Sequence, residues 1–243
     1  MEKQAIITGG AIRVGKAISL ALASAEYDII LLYNGSKKAA EETYGEIVAM
    51  GGKCFLYQCD ISRHKNIKQF FDDISAEYKN IELLVNNSSI FEKNTFQESS
   101  EETFDNHFDI NLKAPFFLSQ FYSAYCKNNN IAQGHIINIL DSYIKSNSGS
   151  YFAYLLSKKA LAQFTEMSAL ALAPQIRVNA VSIGLLLASK FWSEDMVQQK
   201  TIETPLQKRI NINDVTDAIL YLDKNKAITG NNIFVDSGLS LKF

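Results

Sequence analysis

Tyr154 and Lys158 are the residues of this sequence with the clearest chemical potential. Four apart on a helix, they share one face. An ammonium beside a phenol lowers the phenol pKa and makes it a better proton carrier near neutral pH. Most Tyr-x-x-x-Lys pairs are surface residues, so the spacing takes its meaning from its surroundings. Here the pair follows an apolar run, Ile136 to Leu140, that ends on Asp141 and Ser142. In open α/β sheets ligands bind outside the carboxyl ends of the strands, where Asp141, Tyr154 and Lys158 would converge. A second candidate lies at the other end of the chain, in Thr8-Gly9-Gly10-Ala11-Ile12-Arg13-Val14-Gly15. Glycines let a backbone approach a pyrophosphate closely, and a helix start offers free N–H groups and a positive dipole end. The strict G-x-G-x-x-G pattern is absent, and a tight turn without a ligand would read the same way. Arg13 reads as a solvated first-turn cation or as a guanidinium held beside phosphate oxygens, and its place at the helix start favours the second.

The second apolar run ends in Leu32-Tyr33-Asn34-Gly35-Ser36-Lys37-Lys38. It lacks the carboxylate that accepts a ribose 2′-OH in NAD-selective sites. Asn34 and Ser36 can donate to a 2′-phosphate, and Lys37 or Lys38 can supply charge, so NADPH is the expected cofactor. The two lysines read equally as charges on a helix surface.

The elements that must position these groups follow from hydrophobic spacing. Short aliphatic or β-branched runs occur at Ala5–Ile7, Asp28–Tyr33, Lys53–Tyr57, Ile81–Val85, His135–Leu140, Arg177–Val181 and Asn232–Val235. Helical spacing fills Val14–Ala25, Lys37–Met50, Ile67–Tyr78, Thr103–Lys127, Tyr151–Ala173 and Asn213–Leu222, and Pro174 stands where a helix should stop. This alternation predicts an α/β protein: a single Rossmann-type, doubly wound parallel sheet with helices on both faces, spanning residues 1–243 as one domain. The segment 185–208 fits the alternation badly. It reads as a long loop, with or without a short helix, and such loops are often lids.

Composition narrows the classes further. The chain has 243 residues, is 47% hydrophobic and 21% charged, and carries a net charge of −2. Those values exclude a disordered or collagen-like chain, and no basic excess points to nucleic acid. Cys54, Cys59 and Cys126 show no metal spacing and read as reduced thiols of a cytoplasmic protein. His64, His107 and His135 are scattered and read as structural or surface residues, so no metal is expected. The opening MEKQAIITGG turns polar too soon for a signal peptide, and no apolar run approaches the ~20 residues that span a bilayer.

Taken together, the motifs resemble the short-chain dehydrogenase/reductase family from end to end. The turn TGGAIRVG is similar to the family's opening turn, with Gly9, Arg13, Val14 and Gly15 at the phosphates. Asp60 and Ile61 fall where an aspartate holds the adenine. Asn87, Ser88 and Ser89 fall in the family's N-N-A-G stretch. Asn111, in NLKAPFF, corresponds to the helix asparagine that anchors a proton-relay water. Tyr154 and Lys158 correspond to the catalytic pair, and Gly184 and Leu185 to the segment contacting the nicotinamide.

Departures from the family pattern carry further information. Asp141 stands thirteen residues before the tyrosine, where the family usually has serine, and Arg13 replaces a glycine. Both features resemble the pteridine reductase branch, including the bacterial dihydromonapterin reductases. Phe91 falls where that branch places an aromatic ring against the pterin, although a core aromatic is its plainer reading. Should Ser142 take the serine role through a one-residue shift, the pterin argument weakens. Ile183 replaces the usual proline, and Gly35 stands where some relatives carry an arginine for the 2′-phosphate.

The resemblance implies NADPH-dependent reduction of a dihydropterin, with Phe91, Asp141, Ser89 and Tyr154 at the substrate. It also implies a homotetramer, with the Thr103–Lys127 and Tyr151–Ala173 helices as interface candidates. Two other readings remain open: a carbonyl reductase acting on 3-oxoacyl chains, and a sensor that binds NADP(H) without turnover. The first wants serine at 141, since a carboxylate repels a developing oxyanion. The second has no use for the Tyr154, Lys158 and Asn111 set.

Overall fold

The computed structural model describes residues 2–186 and 193–243. Among the described residues seven strands form one sheet: β1 (Lys3–Thr8), β2 (Tyr27–Tyr33), β3 (Cys54–Gln58), β4 (Ile81–Asn86), β5 (Gly134–Asp141), β6 (Ile176–Ile183) and β7 (Asn232–Val235). Their order is β3-β2-β1-β4-β5-β6-β7, and every described pairing is parallel. Along β2, Ile29 and Leu31 enter one core layer and Ile30 and Leu32 the other, which is the two-residue period of a strand. All four are buried because a parallel sheet is covered on both faces. The helices α1 (Arg13–Ser24), α2 (Lys37–Ala49) and α8 (Ile212–Lys224) line one layer. The other layer holds α3 (His64–Glu77), α5 (Ala114–Asn128) and α6 (Phe152–Leu172).

The strand order reverses between β1 and β4. Such a reversal opens a crevice at the carboxyl ends of the strands, and the turns after β1 and β4 form its two lips. The α/β reading therefore holds, as does each of the seven strands within one or two residues.

Two segments differ from expectation. The helix expected over Thr103–Lys127 is α4 (Glu101–Phe108), a π turn (Asp109–Lys113) and then α5. A π turn adds a residue without reversing the chain, so the helical path runs on through it with its apolar face shifted. Pro115 sits in the first turn of α5, directly after the π turn. The segment 185–208 contains α7 (Glu194–Ile202), whose first turn is capped by Ser193 accepting from the Met196 amide. Residues 187–192 of that segment lie outside the described residues.

A buried polar cluster fastens β2, β5 and β6 to α8. Asp223 accepts from Tyr27 Oη at 2.8 Å and from His135 Nδ1 at 3.2 Å, while Asn179 Nδ2 lies 3.1 Å from His135 Nε2. Burial drives the His135 pKa down to about 4. Burial alone would raise Asp223, but the bonds from His135 and Tyr27 outweigh it and hold the carboxyl at about 2. Among the described residues no helix is long and apolar enough to cross a membrane, and no group of His, Cys, Asp and Glu could hold a metal ion. The three cysteines are free and buried.

Candidate active site

A cavity of about 870 Å³ runs along the carboxyl ends of the strands. At one end is the turn after β1. Gly9 has φ +62°, the left-handed region in which glycine avoids the cost other residues meet. A Cβ on Gly15 would lie 2.0 Å from the Gly9 carbonyl oxygen, so α1 packs this closely on the turn only without a side chain. Thr8 Oγ1 accepts the Asn87 and Ser88 amides, and Asn87 Nδ2 donates to the Thr8 and Gly9 carbonyls. These bonds clamp the turn after β1 to the strand end of β4. The start of α1 has no side-chain cap and no acidic residue in its first turn. Its N–H groups and dipole are thus open to an anion. Arg13, Val14 and Gly15 all face the cavity, and Arg13 opens the helix with φ +52°, a strained conformation for a non-glycine residue.

Asn34, Gly35 and Ser36 line the next stretch, with Asp60 and Ile61 opposite. Lys37 and Lys38, expected as the charge for a 2′-phosphate, are not on this wall, and Lys37 leans toward Glu41 at 3.9 Å. They project from the first turn of α2, beyond the strand end that faces the cleft. Arg13 is the cation on the wall at this end of the described cavity. The uncapped helix, the glycine cradle and the elongated cleft fit a dinucleotide.

The reacting groups lie at the other end. Tyr154 and Lys158 are almost wholly buried on α6, and both border the cavity. Tyr154 Oη donates to Asp141 Oδ2 at 2.8 Å, while Asp141 Oδ1 accepts the Tyr143 amide at 2.8 Å. Lys158 Nζ donates to the Ile139 carbonyl at 2.9 Å. Ser142 is fully buried, away from the cavity wall, and its hydroxyl has no partner in the described structure. Asp141, not Ser142, therefore faces Tyr154.

This geometry corrects the expectation that Lys158 depresses the phenol pKa. Burial and then the Asp141 carboxylate push Tyr154 well above 10. The lysine is turned to a backbone carbonyl, and the carboxylate is the phenol's nearest charged neighbour. Burial also raises Asp141, against the opposing bonds from Tyr143 and Tyr154. Lys158 is lowered to about 8 by burial, partly offset by Asp141. The phenol therefore keeps its proton and donates it in the hydrogen bond to Asp141.

Asn111, the expected water anchor, uses its side chain elsewhere. It lies behind the cavity wall, in the π turn, and its side chain is fully engaged. Oδ1 accepts from Ser89 Oγ and the Ile90 amide, each at 3.0 Å, and Nδ2 donates to the Ile90 carbonyl and Ser157 Oγ, each at 3.1 Å. No side-chain capacity is left for a water, so the side chain acts as a clamp on the loop after β4. That loop carries Ser88, Ser89 and Phe91 to the wall. The Phe91 ring stacks on Tyr151 (centroids 4.5 Å, 11° between planes) and meets Tyr154 edge-on at 4.8 Å. Gly184 and Leu185 close the far side; a Cβ on Gly184 would approach Asp236 to 2.7 Å.

Every sequence-predicted site residue except Lys37, Lys38 and Asn111 thus borders one cavity. Sequence reasoning missed Tyr143, Tyr151 and, from α7, Val197 and Lys200. Tyr151 has φ +58°, an unfavourable backbone for an aromatic residue. No local pattern announces that value. For α7, Ser193 followed by two acidic residues was a readable helix-start signal.

Fold and cleft together define an α/β dinucleotide-binding protein. The family model described as enoyl-(acyl carrier protein) reductase matches residues 10–240, and the chain belongs to that family, the short-chain dehydrogenase/reductases. It is accordingly a nicotinamide-dinucleotide-dependent oxidoreductase. The 3-oxoacyl-[acyl-carrier-protein] reductase FabG of Staphylococcus epidermidis is 29% identical over 244 residues, covering 98% of this chain and 99% of its own. The dihydromonapterin reductase of Enterobacter sp. is 27% identical over 243 residues, covering 99% of this chain and 98% of its own. The crystal structure of FolM alternative dihydrofolate reductase 1 from Brucella canis, complexed with NADP, superposes with a TM-score of 0.93. It is 30% identical, covering 99% of this chain and 95% of that one.

Proposed function

We propose that this oxidoreductase reduces a 7,8-dihydropterin to its tetrahydro form with NADPH. The observation that carries the reading is the Asp141–Tyr154 hydrogen bond of 2.8 Å beside the Phe91 ring. A flat heteroaromatic ring gains about 0.5–1.5 kcal/mol beyond its burial from offset or edge contacts with such an aromatic. Its aminopyrimidine edge supplies N–H donors, which a carboxylate accepts and a serine accepts less well. The resemblance to a dihydromonapterin reductase and to FolM supports the same reading.

Bound NADPH supplies the hydride that reduces C6 of the pterin imine. The chain's own residues do the rest. Gly9, Arg13, Val14 and Gly15 would hold the diphosphate, Asn34 and Ser36 the 2′-phosphate, Asp60 and Ile61 the adenine, and Asn87, Ser88, Gly184 and Leu185 the nicotinamide half. Lys158 would fix the nicotinamide ribose. Tyr154, kept neutral by burial, delivers a proton to N5. Asp141, which accepts the phenol's hydrogen bond, orients the ring and assists proton delivery. Ser89 and Phe91 bound the slot, and Asn111 holds the loop that carries them. The enzyme takes its place as a homotetramer acting on a small soluble substrate.

A second reading rests on the FabG relatives: reduction of a 3-oxoacyl thioester. Steady-state turnover of purified protein with NADPH separates the two. The proposal expects oxidation of NADPH with a 7,8-dihydropterin and a far lower kcat/KM with acetoacetyl thioester. The opposite order would establish the carbonyl reductase. Bound NADPH that no substrate oxidises would favour the sensor.

A further inference from the structure

The catalytic helix lacks a cap of its own. Tyr151, at the N-cap position of α6, has left-handed backbone and makes no side-chain capping bond. A helix start leaves its first amides without intrahelical partners, and here two of them are met from far away in sequence. The Asn94 carbonyl accepts the Phe152 amide at 2.9 Å, and Asn94 Oδ1 accepts the Ala153 amide at 3.1 Å. Asn94 is only 5% exposed. It belongs to the same loop after β4 that carries Phe91, and that loop is gripped at its other end by Asn111 through Ser89 and Ile90. Phe91 is therefore held between two asparagine clamps, one seated in the π turn and one on the first turn of α6. The second clamp ties the Phe91 ring to the helix that carries Tyr154 two residues beyond Phe152.

We propose that Asn94 is a positioning residue: by capping α6 from the loop, it fixes the edge-on contact between the Phe91 ring and Tyr154, and so where the Tyr154 hydroxyl stands beside that ring. The proposal rests on Tyr154 and Phe91 facing substrate, as proposed above, but not on which substrate is reduced. A cap contributed by the substrate loop makes loop and helix one body. Displacing either would misplace the proton donor, and misplacements near 1 Å cost rates heavily.

The test pairs kinetics with amide exchange in Asn94→Ala, which removes Oδ1 while leaving the backbone carbonyl, and Asn94→Asp, which retains the acceptor at a helix start that favours negative charge. In Asn94→Ala, amide exchange over residues 152–155 should quicken, and kcat/KM should fall about tenfold or more with NADPH affinity unchanged. Asn94→Asp should recover most of both. Unchanged exchange in Asn94→Ala would overturn the cap. Quickened exchange with wild-type kcat/KM would show a structural cap only and overturn the positioning role. If wild-type protein turns over neither a dihydropterin nor acetoacetyl thioester, the functional reading fails. The exchange arm is then read on the NADPH complex, where unaltered Tyr154-region exchange still refutes the clamp and quickened exchange still supports it.

Discussion

Replacing Tyr154 by phenylalanine removes one hydroxyl, the one that donates to Asp141 at 2.8 Å. Removing a proton donor at this position should lower kcat by about 10²–10⁴-fold. NADPH affinity should be preserved, because the ring and Lys158 remain. Near-normal turnover in that variant would take Tyr154 out of the chemistry. Lys158 adds a pH signature. Burial holds its pKa at about 8, so its ammonium is lost as pH rises through that value. The alkaline limb of kcat/KM should therefore bend near pH 8 in the free enzyme. In Lys158→Arg the limb should move up, since a guanidinium keeps its proton. A limb near 8 that persists in the arginine variant would assign it to another group. The chemistry-bearing residues were legible because their types recur at fixed spacings. Their electrostatics were not: a helix pattern places Tyr154 and Lys158 on one face but does not show that the lysine turns to Ile139 while the phenol turns to Asp141.

The turn between β2 and α2, proposed to hold the 2′-phosphate, is built without its own cation at the wall. A Cβ on Gly35 would meet nothing within 4 Å, so a side chain fits there. Gly35→Arg should lower KM for NADPH by about tenfold, the effect of one charge-assisted phosphate contact, with KM for NADH little changed. Equal improvement for both cofactors would place the new guanidinium elsewhere than the 2′-phosphate. At this scale the sequence was most readable where hydrophobic period governs, as in β1 to β7, whose residues must alternate between two buried layers. It was least readable where one distant contact governs. The π turn inserts one residue without breaking the apolar character of α4 and α5, and the clamp of Asn94 on Ala153 spans 59 positions. Neither leaves a periodic trace. The α7 helix lay between these cases, with a cap signal at Ser193 but too few apolar positions to announce it.

For the molecule as a whole, the cluster of Tyr27, His135, Asn179 and Asp223 ties three strands to α8, far from the cavity. His135 is neutral in the fold, with a pKa near 4 against an ordinary 6.5. Between those values the unfolded chain binds the extra proton. Stability from this group is therefore complete above pH 6.5 and is lost as pH falls toward 4. Asp223, held at about 2 against 3.8, acts in the same direction at lower pH. Urea unfolding at pH 5 should give about 2 kcal/mol less stability from His135 than at pH 7.5. His135→Gln should flatten that slope, and a slope that survives the substitution would belong to other groups. This core pH dependence is separate from the catalytic one, because no described hydrogen bond joins the cluster to Asp141, Tyr154 or Lys158.

The carboxylate at position 141 is proposed to select a flat nitrogen heterocycle over a ketone. The most direct test of that role is the ratio of kcat/KM for 7,8-dihydropterin to that for acetoacetyl thioester, measured with NADPH in the wild-type protein and in Asp141→Ser. The ratio should favour the pterin in the wild type and fall by about a hundredfold in the serine variant, through lost ring contacts and relieved repulsion of the carbonyl oxygen. A ratio unmoved by the substitution, or one that favours the thioester from the start, would remove that role from Asp141.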